Sequence, residues 1–592
     1  APYLNPRVPP FHLTNSELLD ELIQNGVMHL SLSDAIALAI QNNLNIAVDR
    51  YNPEYAAIDK VRSESGQATR GITGAFSSNA LFSGALGGGI SAASSGFSAG
   101  ASGGATGGVS LRSASAVGSF DPVIGISGGW GYSVSPLENA VLNGTNVFSG
   151  NEGSYNVFFG QEFPTGTSYE ISAGGFRQSS NATDFIFNPE VVTGMTIGIE
   201  QNLLNGFGYR ANAKFMRIAD NDIGISKDYF REQIVTTLQQ VVNDYWTLAE
   251  DKENVDVAQE AVNYNQELLK QNKEQVKIGT LAPLDVVQAE SALATAQQNL
   301  IVAQTTYLQQ QEVIKTDIAK RVIPPLLTAR VEPTDVLPKP QNNPIPPVQV
   351  AIDEAHKNRP EIDLNNLNLK NQGVILKANR NSLLPTLNAY ATYAPSGLYG
   401  NRVLFAPGNP FAPVGSVPGG LGPALNQLVT NRYPSYSLGF TLAIPIKNRA
   451  AQADAARALL EQHYLRTVSQ QTLNTIDQAV REAEIGLTQG QARIAAAQKA
   501  TDYARQEYVD EQKKFKVGES TVALVIQMQN SLTQAEGNLV TAQASYASAL
   551  VQFEESTGTL LQKNHIELTD ALTGHATRPP NIPGTPLTSN SQ

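Results

Sequence analysis

The chain has 592 residues, with 41 Lys and Arg against 53 Asp and Glu, a formal charge of −12. That balance lacks the basic face needed to neutralise phosphates and excludes nucleic acid as a partner. The absence of cysteine excludes disulfides, thiolate metal sites, cysteine nucleophiles and lipidated cysteine. No run approaches the ~18 apolar residues of a membrane-spanning helix. No basic-then-apolar leader stands at Ala1, so any such segment is expected to be removed or absent.

In chain order, residues 1–30 read as an N-terminal extension whose proline-bearing start (1–12) is disordered. Residues 31–65 carry opening helices. Residues 66–119 are a low-complexity insertion of Gly, Ser and Ala, read as flexible. Residues 120–205 hold β-like sequence. In Ile124-Gly125-Ile126-Ser127-Gly128-Gly129-Trp130-Gly131-Tyr132, one face is Gly and Ser and the end carries Trp and Tyr, as an interfacial girdle does. Met195-Thr196-Ile197-Gly198-Ile199 is a weaker strand. A candidate hairpin occupies 155–163 and 167–176, turning at Pro164-Thr165-Gly166.

Residues 206–322 read as a long helix, a tip turn and a return helix. The stretch 210–278 contains no Pro and one Gly, Gly224. Ile234, Leu238, Val241, Tyr245 and Leu248 step 4, 3, 4, 3 along it. Residues 323–347 are a Pro-rich linker, with eight prolines between 324 and 347, and read as a stiff connection rather than a core. Residues 348–384 are opening helices again, and Ala351–Ile362 aligns with Ala35–Ile46. Residues 385–446 hold the strands 386–393 and Tyr436–Ile444, the latter alternating large apolar with small or hydroxyl residues. Residues 447–562 repeat the long helix, tip turn and return helix. Residues 563–592 read as a disordered tail.

The two halves are a duplication. Val286, Ala289, Leu293, Ala296, Leu300, Ala303 and Tyr307 correspond, at an offset of 239, to Val525, Met528, Leu532, Ala535, Leu539, Ala542 and Tyr546. Both rows step 3, 4, 3, 4, 3, 4, the seam of a left-handed coiled coil. Gly279 and Gly518 precede them at the same offset, as helix stops. Helices of roughly 70 and roughly 40 residues are expected in each half, roughly 100 Å and 60 Å long at 1.5 Å per residue.

Four clear strands cannot close a wall, and lipid tolerates no open sheet edge. If the strands lie in a membrane, several chains pool them; three chains giving four each make twelve.

In this order the elements resemble TolC-like outer-membrane efflux proteins, over roughly residues 30–65, 120–322 and 348–562. Leu32–Ala39 is similar to that family's first helix, Ser382–Leu387 to its helix-to-strand junction, Leu442–Ile446 to its return from strand to helix, and the two glycine turns to its periplasmic tips. The resemblance implies a mainly α protein with a membrane β-barrel: a homotrimeric 12-stranded outer-membrane barrel continuous with a long periplasmic α-helical coiled-coil tunnel, and a mid-length belt of short helices, linker and tail. It also implies docking of the tips, Ile278, Gly279, Thr280 and Leu281 with Val517, Gly518 and Glu519, to a periplasmic adaptor (membrane fusion) protein, which joins an inner-membrane transporter.

The tip departs from the family pattern. Where the best-studied members carry two Asp rings, this chain has Leu524 and Gln527. Where they carry a Tyr and an Arg that reach an Asp, it has Phe515 and Ser520 facing the matching Asp285. Phe lacks the hydroxyl and Ser cannot form a bidentate ion pair. The expectation is a gate narrowed by apolar packing of Leu524, with a neutral ring of Gln527 and weak block by multivalent cations. The first half also lacks a Pro after its return strand, having Gln201-Asn202-Leu203-Leu204.

The function expected is a passive trimeric exit duct of a tripartite efflux pump or type I secretion system, spanning outer-membrane lipid, with no catalytic or metal residue and no cofactor. The competing reading is a non-channel coiled-coil scaffold or surface fibre, and the alternation at 436–444 discriminates the two. Gly96-Phe97-Ser98-Ala99-Gly100 matches a nucleophile pattern but lies in a Gly/Ser tract without the strand and helix an elbow needs. The six histidines show no ligand spacing.

Overall fold

The computed structural model describes residue 8 and residues 13–71, 120–137, 145–182, 185–340 and 345–574. Most of the Gly/Ser/Ala insertion (72–119, with Gly96–Gly100), nearly all of the proline-bearing start and the end of the tail (575–592) lie outside the described residues. The strands are β1 (Ile23–Gln24), β2 (Val27–Leu30), β3 (Val123–Pro136), β4 (Val147–Glu162), β5 (Thr167–Ser180), β6 (Phe187–Asn202), β7 (Arg330–Pro333), β8 (Thr386–Tyr393), β9 (Ser396–Ala406), β10 (Asn409–Val417) and β11 (Tyr436–Ala443). The chain forms two compact units. One comprises Ala1–Glu54, Ile225–Asn366 and Thr467–Gln592; the other comprises Tyr55–Gly224 and Leu367–Arg466.

Four helices dominate the chain. The first long helix, Lys214–Ile278, has 65 residues and its return helix, Pro283–Asp317, has 35. The second long helix, Arg449–Lys516, has 68 and its return helix, Val522–Ser556, has 35. All fourteen seam positions of the two return helices are buried or half-buried, with Tyr307 and Tyr546 closing the rows at 5% and 3% exposure. The period-3.5 pattern therefore packs as a heptad seam should. No described helix is long and apolar enough to cross a membrane.

In the first unit, the row Ile234, Leu238, Val241, Tyr245 and Leu248 is wholly buried. Each such side chain contributes about 1.5–3 kcal/mol on burial. Tyr245 and Leu248 pack with Leu19, Met28 and Leu30 of the N-terminal extension and with Leu326 and Val331 of the linker. Two readings from composition alone give way here to the belt of short helices, linker and tail that the resemblance implies. The linker is not merely a stiff connection, because β7 pairs in parallel with β2 and Val331 is fully buried. The tail is folded as far as Gly574, because Leu568–Thr573 is helical and Ala571 packs with Ile36 and Ile40. Arg50 fixes that segment by donating from Nε to the Ala571 carbonyl at 2.6 Å.

The second unit is built on one antiparallel sheet, whose continuous neighbours are β3, β4, β5, β6, β8 and β11. β9 continues β8 along β6: Ile197 pairs with Tyr393 and Gly194 with Ser396, in one unbroken register. β10 returns along β9, and a short helix, Leu421–Val429, precedes β11. Ala424 of that helix is fully buried, and a Cβ at Gly397 would fall 2.2 Å from its carbonyl oxygen, so only glycine fits there. The expected strands 386–393 and 436–443 are present as β8 and β11. The candidate hairpin joins the four clear strands in this sheet. The hairpin expected at 155–163 and 167–176 runs the full height of the sheet as β4 and β5, between β3 and β6.

Candidate functional site

The two hairpin tips share one geometry. Gly279 N–H donates to the Val276 carbonyl at 3.0 Å and Thr280 N–H to Gln275 at 3.0 Å. Gly518 N–H donates to Phe515 at 3.1 Å and Glu519 N–H to Lys514 at 2.9 Å. These are two Schellman caps, each with a left-handed glycine satisfying the last carbonyls of a long helix. Pro283 then opens the first return helix, and the Thr521 side chain caps the second by accepting from Leu524 N–H.

The structure divides the expected tip residues into two sets. Phe515 is buried with Tyr508, Val522, Val525 and Leu532 of its own hairpin and Leu268 of the other, and Leu281 is half-buried against that cluster. Phe515 and Leu281 thus tie the two tips together. Ser520 donates its hydroxyl to Glu511, across its own turn. That hydrogen bond, with Lys514 at 3.2 Å, holds the Glu511 carboxyl below the usual carboxylate range. Asp285 stands in the first turn of its helix, where the dipole favours a carboxylate. The outward set is Ile278 and Val517, at 75% and 72% exposure, with Gly279, Thr280, Gly518, Glu519, Leu524 and Gln527.

Sequence reasoning missed the polar side of this packing. Asn265, Asn272 and Gln529 are buried. Asn265 and Gln529 both donate to the Ala261 carbonyl, at 2.8 and 3.2 Å, while neither atom of the Asn272 amide has a partner. The seven-residue spacing of Asn265 and Asn272 was the available signal. A groove of about 540 Å³ beside them is lined by Asn254, Ser291, Thr295, Asn530 and Thr533, among others.

The sheet has two chemically distinct faces. One row runs through six neighbouring strands: Ile124, Phe159, Ile171, Ile197, Tyr393 and Tyr436. On the same face of the two edge strands, Ile126, Trp130, Tyr132, Leu438 and Phe440 are exposed. The other face carries Ser127, Asn156, Ser172, Thr196, Thr392 and Ser437, the last two hydroxyls lying 2.6 Å apart. Tyr390 lies on this face over Gly439, where a Cβ would meet its ring at about 2.6 Å.

The chain thus joins duplicated coiled-coil hairpins to an antiparallel sheet that is apolar on one face and polar on the other. Among the described residues no group of three His, Asp or Glu stands together as a metal site. The outer membrane efflux protein family model matches residues 170–316 and 351–559, and the chain belongs to that family. Members are non-catalytic channels, and this chain is an outer-membrane channel protein of efflux or secretion with its helical part in the periplasm. No curated protein sequence matches it.

Solved structures share the fold. The CmeC outer membrane channel of Campylobacter jejuni aligns at TM-score 0.57 and 13% identity, over 97% of this chain and 98% of that one. The outer membrane protein VceC of Vibrio cholerae aligns at 0.55 and 12%, over 89% and 96%. The open-state MtrE channel of Neisseria gonorrhoeae aligns at 0.52 and 15%, over 89% of each chain.

Proposed function

We propose that three copies of this chain form a passive exit duct, receiving cargo from a periplasmic adaptor and an inner-membrane transporter and releasing it outside the cell. The observation that carries this reading is that the sheet's edges are open. Among the described residues β3 pairs with β4 alone, β11 with β8 alone and β10 with β9 alone, yet β3 and β11 expose apolar rows that suit lipid. In lipid each unpaired backbone group costs several kcal/mol, so the edges require partner strands from other copies. The first return helix supports the same conclusion. Val287, Ala294, Ile301 and Leu308 form a second heptad row, exposed along its length and suited to a neighbouring helix. A scaffold without a membrane wall leaves the apolar sheet face unexplained.

At the tip, exposed Ile278 and Val517 offer apolar points for an adaptor, and Leu524 with Gln527 narrows the bore without charge. The energy of transport comes from the partner transporter. Native mass spectrometry of protein extracted from envelopes tests the assembly. Dependence on detergent and a mass of three chains of 63.3 kDa are expected. A water-soluble, monodisperse monomer contradicts it.

A further inference from the structure

We propose that the β4–β5 hairpin is a built part of the membrane wall, so that the barrel closes with eighteen strands rather than twelve around a wide bore with acids at both ends. The inference rests on the trimeric duct reading and deepens it.

The first argument is register. β4 pairs with β3 at every residue from Val147 to Gly160, and β5 pairs with β6 from Thr167 to Gln178. β3 and β6 therefore have no direct pairing, and removing the hairpin would leave both with open edges. The second argument is chemistry. In the apolar row across the sheet, the hairpin supplies Phe159 and Ile171 between Ile124 and Ile197. One register step on, it supplies Val157 and Ala173 between Ile126 and Met195. A hairpin lying outside the wall would not continue the lipid-facing pattern of both neighbours. Three register steps from the first row, Trp130, Gly153 and Arg177 stand in line, a composition suited to the headgroup level.

Six wall strands in each of three copies give eighteen. With strands ~4.8 Å apart and tilted by ~40°, the backbone radius is roughly 18 Å for eighteen strands against roughly 12 Å for twelve. The hairpin also adds acids near both ends of the polar face. On the polar face Glu152 and, from β6, Glu190 flank Gln178 near one end of the strands; ten residues away, near the other end, Glu162 and Glu200 of β6 flank Ser168, with Glu170 one step inward along β5. Arg177 is the sole basic residue of β3 to β6, and it lies on the apolar face. Three copies place fifteen carboxylates on the inner wall. This bore fits cargo that is bulky and neutral or cationic.

The test is electron cryo-microscopy of the full chain in lipid nanodiscs, with strands counted in the ring. Eighteen strands, with residues 147–180 between β3 and β6, is the expected result. A trimeric ring of twelve, with residues 147–180 outside it, overturns this inference and leaves the duct reading standing. Particles without a closed ring overturn the duct reading, and this inference with it.

Discussion

Gly279 and Gly518 stand 239 residues apart and adopt the same left-handed backbone, with φ of +85° and +78°. Each closes a matching pair of hydrogen bonds. A Cβ at either position meets nothing within 4 Å, so a larger residue is opposed by the backbone alone. Gly279→Ala and Gly518→Ala are each expected to cost about 1 kcal/mol, confined to the tip. Hydrogen exchange at Thr280 and Glu519 checks this. Both amides should exchange several-fold faster while the belt around Tyr245 is unchanged.

The uncharged tip has its own test. The wild-type channel is expected to be blocked only weakly by trivalent hexammine cations added from the tip side in a planar bilayer. Leu524→Asp places a carboxylate in each copy and should create strong block, relieved by high salt. Strong block of the wild type would show that acids such as Glu519 or Asp285 already form the ring.

Much of this architecture was legible because its signals are periodic. The heptad rows ending at Tyr307 and Tyr546, the two glycine turns and the alternation at Tyr436–Ala443 follow from spacing alone. The linker was misread because eight prolines mark an extended chain, and β7 is extended; sequence spacing does not reveal that Val331 pairs with Met28, some 300 residues earlier. The tail was misread for a similar reason, since one buried alanine, Ala571, leaves no hydrophobic run. At the tip, the resemblance gives Phe515 a gate position, and in the structure its large apolar ring packs inward, as burial energy favours. The strand 147–162 was only half seen because Gly150, Glu152, Gly153 and Ser154 break its apolar pattern where both faces turn polar.

The orphaned amide of Asn272 predicts a gain of stability. Asn272 is fully buried in the seam with both side-chain atoms unpartnered. Such a group costs about 1–3 kcal/mol. Asn272→Leu should raise the melting temperature of the helical part, followed by circular dichroism. If a buried amide holds register, as a polar seam position can, the variant should also lose uniqueness of assembly on native gels.

Asp222 predicts a pH dependence. Burial, opposed by a hydrogen bond from Asn371 and reinforced by nearby Asp59, pushes its carboxyl up to about 6. Between the ordinary 3.8 and about 6 the folded chain binds more protons than the unfolded one, so stability falls as pH rises through that window. Asp222→Asn keeps an acceptor for Asn371 and removes the charge. It should stabilise the protein by about 3 kcal/mol at pH 7.5 and by almost nothing at pH 3.5, measured by thermal melts at both values.

The inner carboxylates predict ion selectivity. Replacing Glu152, Glu162 and Glu170 together by Gln should shift the reversal potential in a KCl gradient toward zero, because the wild-type bore concentrates cations. An unchanged reversal potential would place these side chains away from the conducting path.

The most direct measurement is single-channel recording of purified, full-length protein in a planar bilayer. The duct predicts discrete conductance steps with cations favoured over anions. Protein that inserts into the bilayer yet passes no current across a range of voltages would contradict it.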